Sequence, residues 1–517
     1  MQLNKFAYKG KGAAQSRSRR PALTGNAKWD SLDNDTLHEI FRHFDDRQLT
    51  RLAQLDRRTR RVAYAATQAC LGLSESQWAA FKAVIHRQEN VLLLGTPGSG
   101  KSFLLKVLKD RIRNPLVTAS TGAAAERIDA WTIHSALGIG LADKPAKEIV
   151  KRLIAPSRSG RYYPKPCQTC DSIIVDEVSM LTAKTLDLAG EVVSKLRNGH
   201  MPQLVVSGDP MQLGAVGAER DGSFIDSNLI QTLRPYVLTE SFRQAEDSRF
   251  LTILNRVRLG CARPRDLEWI VSNASVCIGS DAPRLFCLVR LVADYNCCKL
   301  ATLPGAITEF KTHETGDVPR RSSAYTDSVL HIKMGARVML TSNLTGHVGV
   351  HNGSCGTVVA LNASVVSVAF GNGKTLPIRA LTTEYKKGRN DEVVGSRTEM
   401  PLILAWAVSI HRAQGATLDS VAVDMSRAFA LGHAYVALSR VREVQHLQIQ
   451  GRLTLSTLNN VDKHALQWYN ECAKRSADRA KRHKEREKKA EREAYEAQVV
   501  DDAALSAMMD AFEAARG

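Results

Sequence analysis

Three short runs with little polar alternation stand out along the chain, Val91 to Leu94, Ser172 to Val175 and Leu204 to Val206. Runs of this length predict strands buried on both faces, as in a parallel sheet covered by helices. Phe103 to Lys109 has helix-forming composition directly after the first of them. From Met334 to about Thr383 the pattern changes to brief β-type runs separated by Gly335, Gly346, Gly353, Gly356, Gly371 and Gly373. That punctuation predicts a small β-barrel inserted into the α/β region. Nearer the N-terminus, Leu37, Ile40, Phe41 and Phe44 recur at helical spacing, followed by Leu49, Leu52 and Leu55. Asp33, Asp45 and Asp56 precede these stretches as N-caps, so three short amphipathic helices are expected.

The ends differ in kind. Residues 1–28 carry Lys5, Lys9, Lys11, Arg17, Arg19, Arg20 and Lys28 without an acid, a pattern of a disordered basic arm. Beyond Lys463 the chain becomes a charged helix from Lys474 to about Gln498, read either as a solvated helix or as an arm that contacts a duplex. Leu505, Met508, Met509 and Phe512 then form one apolar helical stripe. The expected organisation is therefore an arm over 1–28 and a helical segment over 29–68. Two α/β domains follow over 73–235 and 236–460, the second with the insertion at about 334–383, and a charged tail over 463–517.

Charge narrows the partners. The formal net charge is +18 in 517 residues and the pI is about 9.5. Such a balance favours a polyanion, nucleic acid before an anionic membrane surface. No run approaches the roughly 18 apolar residues of a spanning helix, so no membrane partner is expected. Ten cysteines without regular spacing read as reduced intracellular thiols. Cys167 and Cys170 have half the spacing of a zinc site, with no second pair at a matching interval.

The sharpest chemistry lies between the first strand and its helix, at Gly95, Thr96, Pro97, Gly98, Ser99, Gly100, Lys101 and Ser102. Glycines there let backbone N–H groups converge on phosphate oxygens, and the helix N-terminus adds positive potential. Lys101 is expected to reach the β- and γ-phosphates of ATP, and the Ser102 hydroxyl to ligate Mg²⁺. The second strand ends in Asp176 and Glu177. An acid at that edge faces the same crevice, so Asp176 is assigned to the Mg²⁺ shell and Glu177 to the attacking water. The third strand delivers Gln212, which can contact the γ-phosphate or the attacking water and so report the hydrolysis state.

Read together, these strings resemble the petite-integration-frequency (Pif) family of 5′-to-3′ DNA helicases, superfamily-one relatives of RecD. The likeness runs from Leu73 to Leu447. Leu73 to Gln77 is similar to the family's adenine-reading segment, with Gln77 the base contact. Val117 to Gly122, Thr132 to Ser135 and Gly138 to Gly140 look like its first DNA-contacting stretch. Leu238 to Gln244 looks like the segment that supplies Arg243 to the γ-phosphate. Trp406 to Gly415 and Tyr435 to Arg440 resemble its last two motifs. Gly214 and Ala215 stand where the family usually has two prolines, and Arg412 where a lysine is common.

The resemblance implies two RecA-like parallel-sheet motor domains with a Src-homology-three-like insertion. It also implies translocation on single-stranded DNA, unwinding of forked or structured DNA in repair or recombination, and strand contacts from Thr118, Ser120, Thr121, His134, His411 and Gln414. Arg243 and Arg440, from the facing domain, are the expected cations for the charge that develops in phosphoryl transfer. Residues 29–66 partly resemble an F-box, which would dock the Skp adaptor of a ubiquitin ligase; recruitment of a ligase to DNA is one alternative function. An RNA-directed motor of the same superfamily is another. The compartment implied is intracellular, nuclear first and mitochondrial second.

Overall fold

A computed structural model describes residues 67–489 apart from 141, 156–164, 245–246, 276, 280–281, 319–328, 343, 345–349, 351–352, 372, 388–391, 484 and 487. The basic arm, the F-box-like stretch 29–66 and the terminal apolar stripe lie outside the described residues. The chain forms two compact units, Met1–Leu73 and Ser74–Gly517. Of the first, a short helical turn at 67–71 closes the described part. Everything below concerns the second.

Its first lobe is a six-stranded, all-parallel sheet. The strands are β1 (Val91–Gly95), β2 (Pro115–Ala119), β3 (Trp131–Thr132), β4 (Ser172–Asp176), β5 (Gln203–Gly208) and β6 (Arg234–Leu238), in the order β3-β2-β4-β5-β1-β6. β1 and β4 are buried at every position, as their unbroken apolar runs require of strands covered on both faces. Helices α1 (Glu75–Ile85), α2 (Lys101–Lys109) and α3 (Ala183–Leu196) cover the sheet. α2 turns Leu104, Leu105 and Leu108 inward, and α3 starts where the Thr182 hydroxyl caps Thr185 N–H.

The second lobe carries a smaller parallel sheet of four strands. Its order is β18-β7-β19-β20, from β7 (Arg284–Phe286), β18 (Ala407–Ser409), β19 (Val421–Asp424) and β20 (Leu447–Gln450). Helices α4 (Ser248–Arg258) and α5 (His433–Leu438) belong to this lobe. One contiguous apolar core links the two sheets, from Leu92 and Val206 through Met211 to Tyr435, Val436 and Leu447.

Between β7 and β18 the chain forms a helix, Val289–Thr302, and then antiparallel strands. β8 (Thr308–Lys311) pairs with β10 (Val329–Ile332). β11 (Arg337–Leu340), β12 (Cys355–Leu361), β13 (Val365–Phe370), β14 (Thr375–Arg379) and β17 (Leu402–Leu404) form a five-stranded sheet in the order β14-β13-β12-β11-β17. β15 (Leu381–Lys387) and β16 (Glu392–Glu399) make a long hairpin joined by β9 (His313–Gly316). β13 alternates inward Val366, Val368 and Phe370 with outward neighbours, and these residues build a core of their own. The β-rich region thus runs from 308 to 404, wider than the 334–383 that glycine spacing marks, because strands on either side of the glycine-punctuated stretch pair with each other.

The C-terminal helix also starts earlier than its charge pattern suggests. It is helical over 463–483, capped by Asp462, which accepts from His464 and Ala465 N–H. Ala465, Leu466, Trp468, Tyr469 and Cys472 form an apolar stripe packed on the core. Trp468 meets Phe224 edge-on at 5.8 Å. Further along, Ser476 Oγ accepts from Val237 N–H at 3.1 Å, Arg479 donates to the Pro235 carbonyl at 3.1 Å, and its guanidinium lies over Tyr236. The helix therefore covers β6, the exposed edge of the first sheet.

Phe250 on α4 is fully buried in the shared core. Phe250→Ala is expected to cost about 3–5 kcal/mol through lost burial and a residual cavity. Denaturant unfolding should show it as a lower midpoint at an unchanged slope.

Candidate active site

The loop between β1 and α2 is shaped by two glycines in the left-handed region, Gly98 at φ 84° and Gly100 at φ 79°. Both also admit close neighbours. A Cβ on Gly98 would stand 2.4 Å from Arg243 Cβ, and one on Gly100 would meet the Gln77 amide. The Phe242 N–H donates to the Gly98 carbonyl at 2.8 Å, so the segment that opens the second lobe lies directly on the loop. Gln77 is buried in α1, where its Oε1 accepts from Ser74 N–H at 3.0 Å and its Nε2 donates to Ser99 O at 3.3 Å. Gln77 thereby ties α1 to the loop. Lys101 donates from Nζ to the Gly95 and Thr96 carbonyls at 2.8 and 3.0 Å. Burial pulls its ammonium pKa down, opposed by Asp209, Glu177 and Asp176.

Asp176 ends β4 with no exposed surface. Its carboxylate accepts from Ser102 Oγ at 2.9 Å, from Ser207 Oγ and from Glu177 N–H. Burial, then the adjacent Glu177, raises the Asp176 pKa, while the hydroxyls and Arg127 oppose the shift. The following residue, Glu177, is held at φ 54°, an uncommon conformation for a side-chain-bearing residue. Ser99 Oγ, Glu177 Oε2 and Gln212 Oε1 are buried without a hydrogen-bond partner among the described residues. Each such atom costs about 1–3 kcal/mol, so their concentration around one crevice marks a ligand site.

The second lobe supplies the cations. Arg243 Nη1 donates to Ser439 O at 3.0 Å. Arg440 is fully buried and spends its guanidinium on the Val436, Ala413 and Ala416 carbonyls and on Ser439 Oγ. Burial and then Arg127 push the Arg243 pKa down to about 10; burial and then Arg243 push Arg440 to about 9. Both line a cleft of about 650 Å³ with Lys101, Lys106, Arg127, Arg442, Glu177 and Gln212. Six cations against one acid make this cleft suited to a polyanion. Of the nucleotide-site residues expected from the sequence, Gln77 lies in α1 against the loop, and the others lie in the loop, at or just past the adjoining strand ends, or on this facing wall.

Three neighbours escaped the sequence reading. Arg127, at the end of the helix Gly122–Arg127, is 3.4 Å from Glu177 Oε1 and also donates to the Gly415 carbonyl. Phe242 stands beside Gly100 with its ring more than half exposed. Asp209 is fully buried and salt-bridged to Arg258 at 2.8 Å. Phe242 lies inside the 238–244 string and Asp209 just before Gln212, but the partners of all three are distant in sequence, so spacing assigns them no contact.

The expected strand contacts divide. Thr118 needs correction: it is wholly buried in β2 and its hydroxyl donates to Ile174 O at 2.8 Å, so the side chain belongs to the sheet interior. Ser120 lies just past the end of β2, its Oγ without a hydrogen-bond partner among the described residues, and Thr121 Oγ1 accepts from Ala124 N–H. His134 and His411, one from each lobe, line a pocket of about 300 Å³ together with Thr182, Thr185 and Val216. Burial lowers both imidazole pKa values. Gln414 crosses between lobes to donate to Ser179 Oγ at 3.3 Å.

An anion loop on one parallel sheet, with acids at a neighbouring strand end and arginines delivered by a second parallel sheet, defines a P-loop protein with two RecA-like lobes. A family model described as an AAA domain matches residues 72–281. The ATP-dependent DNA helicase PIF1 of Homo sapiens is 34% identical over 73% of this chain and 60% of its own length. The Pif1 helicase of Bdellovibrio bacteriovorus is 28% identical over 74% of this chain and 88% of its own. Among solved structures, Pif1 helicase from Candida albicans superposes with a TM-score of 0.67 at 28% identity, covering 77% of this chain and 99% of that one. Bacteroides Pif1 bound to single-stranded DNA gives 0.65 at 27% identity, with 78% and 97% covered. The chain is similar to Pif1 helicases over about three quarters of its length. It spans 60–64% of the length of the human, rat and mouse relatives.

His433, edge-on to His411 at the start of α5, offers a check on burial there. Its ring is buried, Nδ1 accepts from Ala430 N–H, and burial followed by His411 pushes its pKa down to about 4 from 6.5. Between those values the unfolded chain binds the extra proton, so stability present at neutral pH is lost as pH falls from 6.5 toward 4. Thermal unfolding followed from about pH 7 to 4.5 should fall less steeply for His433→Asn than for the wild type; parallel profiles would remove His433 from that account.

Proposed function

We propose that this chain is an ATP-dependent DNA helicase that moves 5′-to-3′ on single-stranded DNA and unwinds duplex or structured DNA. The observation that carries the reading is the seating of Phe242 and Arg243 on Gly98, with Arg440 in the same cleft. A triphosphate held by the loop would touch both lobes, so its hydrolysis could change how they close. In this reading residues 73–235 and 236–460 are the two motor domains. Solved relatives include one bound to single-stranded DNA and one described as unwinding forked double-stranded DNA. We assign single-strand contacts to Ser120, Thr121, His134, His411 and Gln414. Work on DNA in repair or recombination would place the protein in the nucleus or the mitochondrion.

The site's own groups fit Mg²⁺. A hydroxyl and a buried carboxylate of raised pKa, Ser102 and Asp176, lie within 2.9 Å of each other and form a hard oxygen donor pair. Bound there, the ion would neutralise phosphate charge. Lys101 binds the β- and γ-phosphates, Glu177 orients the attacking water and accepts its proton, and Gln212 reports on the γ-phosphate. Arg243 and Arg440 neutralise charge on the transferring group.

Lys101→Ala is expected to reduce DNA-stimulated ATP hydrolysis by roughly 100-fold or more while single-strand binding persists; wild-type turnover would overturn the assignment. Arg440→Lys should retain nucleotide affinity and lose turnover. If affinity falls and turnover of bound ATP does not, Arg440 is a binding residue instead. Strand displacement from a 5′-tailed but not a 3′-tailed duplex is the expected polarity result, and matched RNA duplexes separate an RNA-directed motor.

A further inference from the structure

One first-lobe carboxylate receives most of the second lobe's polar reach. Asp209 follows β5 and has no exposed surface. Arg258 Nη2 donates to its Oδ1 at 2.8 Å and Arg258 Nε to both oxygens at 3.2 Å. The Tyr435 hydroxyl donates to Oδ2 at 3.1 Å, and Met211 N–H to Oδ1 at 3.2 Å. Arg258 ends α4 and Tyr435 lies in α5. The Arg258 guanidinium rests on the ring of Tyr469, 4.1 Å from its centroid, in the C-terminal helix. Three elements that follow the first sheet in sequence therefore converge on a single acid.

That acid sits in the nucleotide machinery without belonging to it. Gln212 N–H donates to the Asp209 carbonyl at 3.1 Å, so the loop bearing the proposed γ-phosphate reporter turns on this residue. Among its neighbours Asp209 does most to sustain the buried Lys101 ammonium. On the far side, α5 runs into Ser439, whose carbonyl accepts from Arg243, and into Arg440. Stability alone gives no reason for the pair, since buried ion pairs are often no better than apolar replacements of similar volume. What such a pair supplies is a fixed register between the two bodies that carry it.

We propose that Arg258 and Tyr435 are positioning residues that clasp Asp209, couple the Lys101–Gln212 side of the site to the arginine-bearing second lobe, and are braced by Tyr469. The proposal rests on the ATPase reading above. It assigns the clasp to coupling of hydrolysis to movement, not to nucleotide binding. Tyr435→Phe removes one hydroxyl and leaves the ring in place. It is expected to keep the melting temperature and the KM for ATP near wild type while base pairs displaced per ATP fall roughly three- to thirtyfold.

Arg258→Met should lower the melting temperature by leaving the Asp209 charge buried and unpaired. Adding Asp209→Asn should recover that temperature but not the coupling, whereas Arg258→Lys should recover part of the coupling. Recovery of both in the double variant, or wild-type coupling in Tyr435→Phe, would overturn the proposal and leave the pair as packing. Absence of ATP turnover in the wild-type chain would overturn the activity reading itself, a result separable from any variant's behaviour.

Discussion

The arrangement depends on how closely a second polypeptide segment can approach the anion loop. At Gly98 that approach is direct, with Arg243 where a side chain would otherwise stand and a backbone hydrogen bond from Phe242 fixing the distance. The same glycine must also hold a positive φ. Conformation and clearance therefore select one residue type for two reasons. Without that clearance the arginines of the second sheet would sit away from the phosphates, and two stacked sheets would have no shared ligand.

Charge within the cleft is arranged against the usual preference of a protein interior. Arg440 and Arg243 are desolvated with no carboxylate in salt-bridge contact among the described residues, and their lowered pKa values record that cost. Asp176 shows the complementary cost on the acidic side. A polyphosphate and its cation would relieve both. Arg258 shows the contrasting, satisfied case: burial alone would lower its pKa, but Asp209 beside it more than reverses the shift.

What could be read from the sequence was what is local in it. The loop 95–102, the acids after the second strand and the buried strands themselves carry their chemistry within a few residues, so spacing is enough. Arg258 meets Asp209 across 49 positions and sits in a helix whose apolar spacing hides it. Thr118 was misplaced because a motif names residues and does not say which of them point into the sheet. In the C-terminal helix, charge marks only the part from Lys474 onward, and the apolar stripe at Ala465, Leu466, Trp468, Tyr469 and Cys472 precedes it. Nor does spacing reveal strand order, so the β-rich region's outer strands were invisible until they paired.

The path of the chain has a mechanical consequence. It leaves the first sheet after β6, builds the second lobe, and returns in the helix over 463–483 to lie against Phe224, Tyr236 and Val237. Two covalent passages therefore join the lobes, with the returning one anchored along its length. A body tethered at one point can swivel in any direction, whereas one tethered at two is confined to rocking about the line between them. Such a pivot favours opening and closing over torsion.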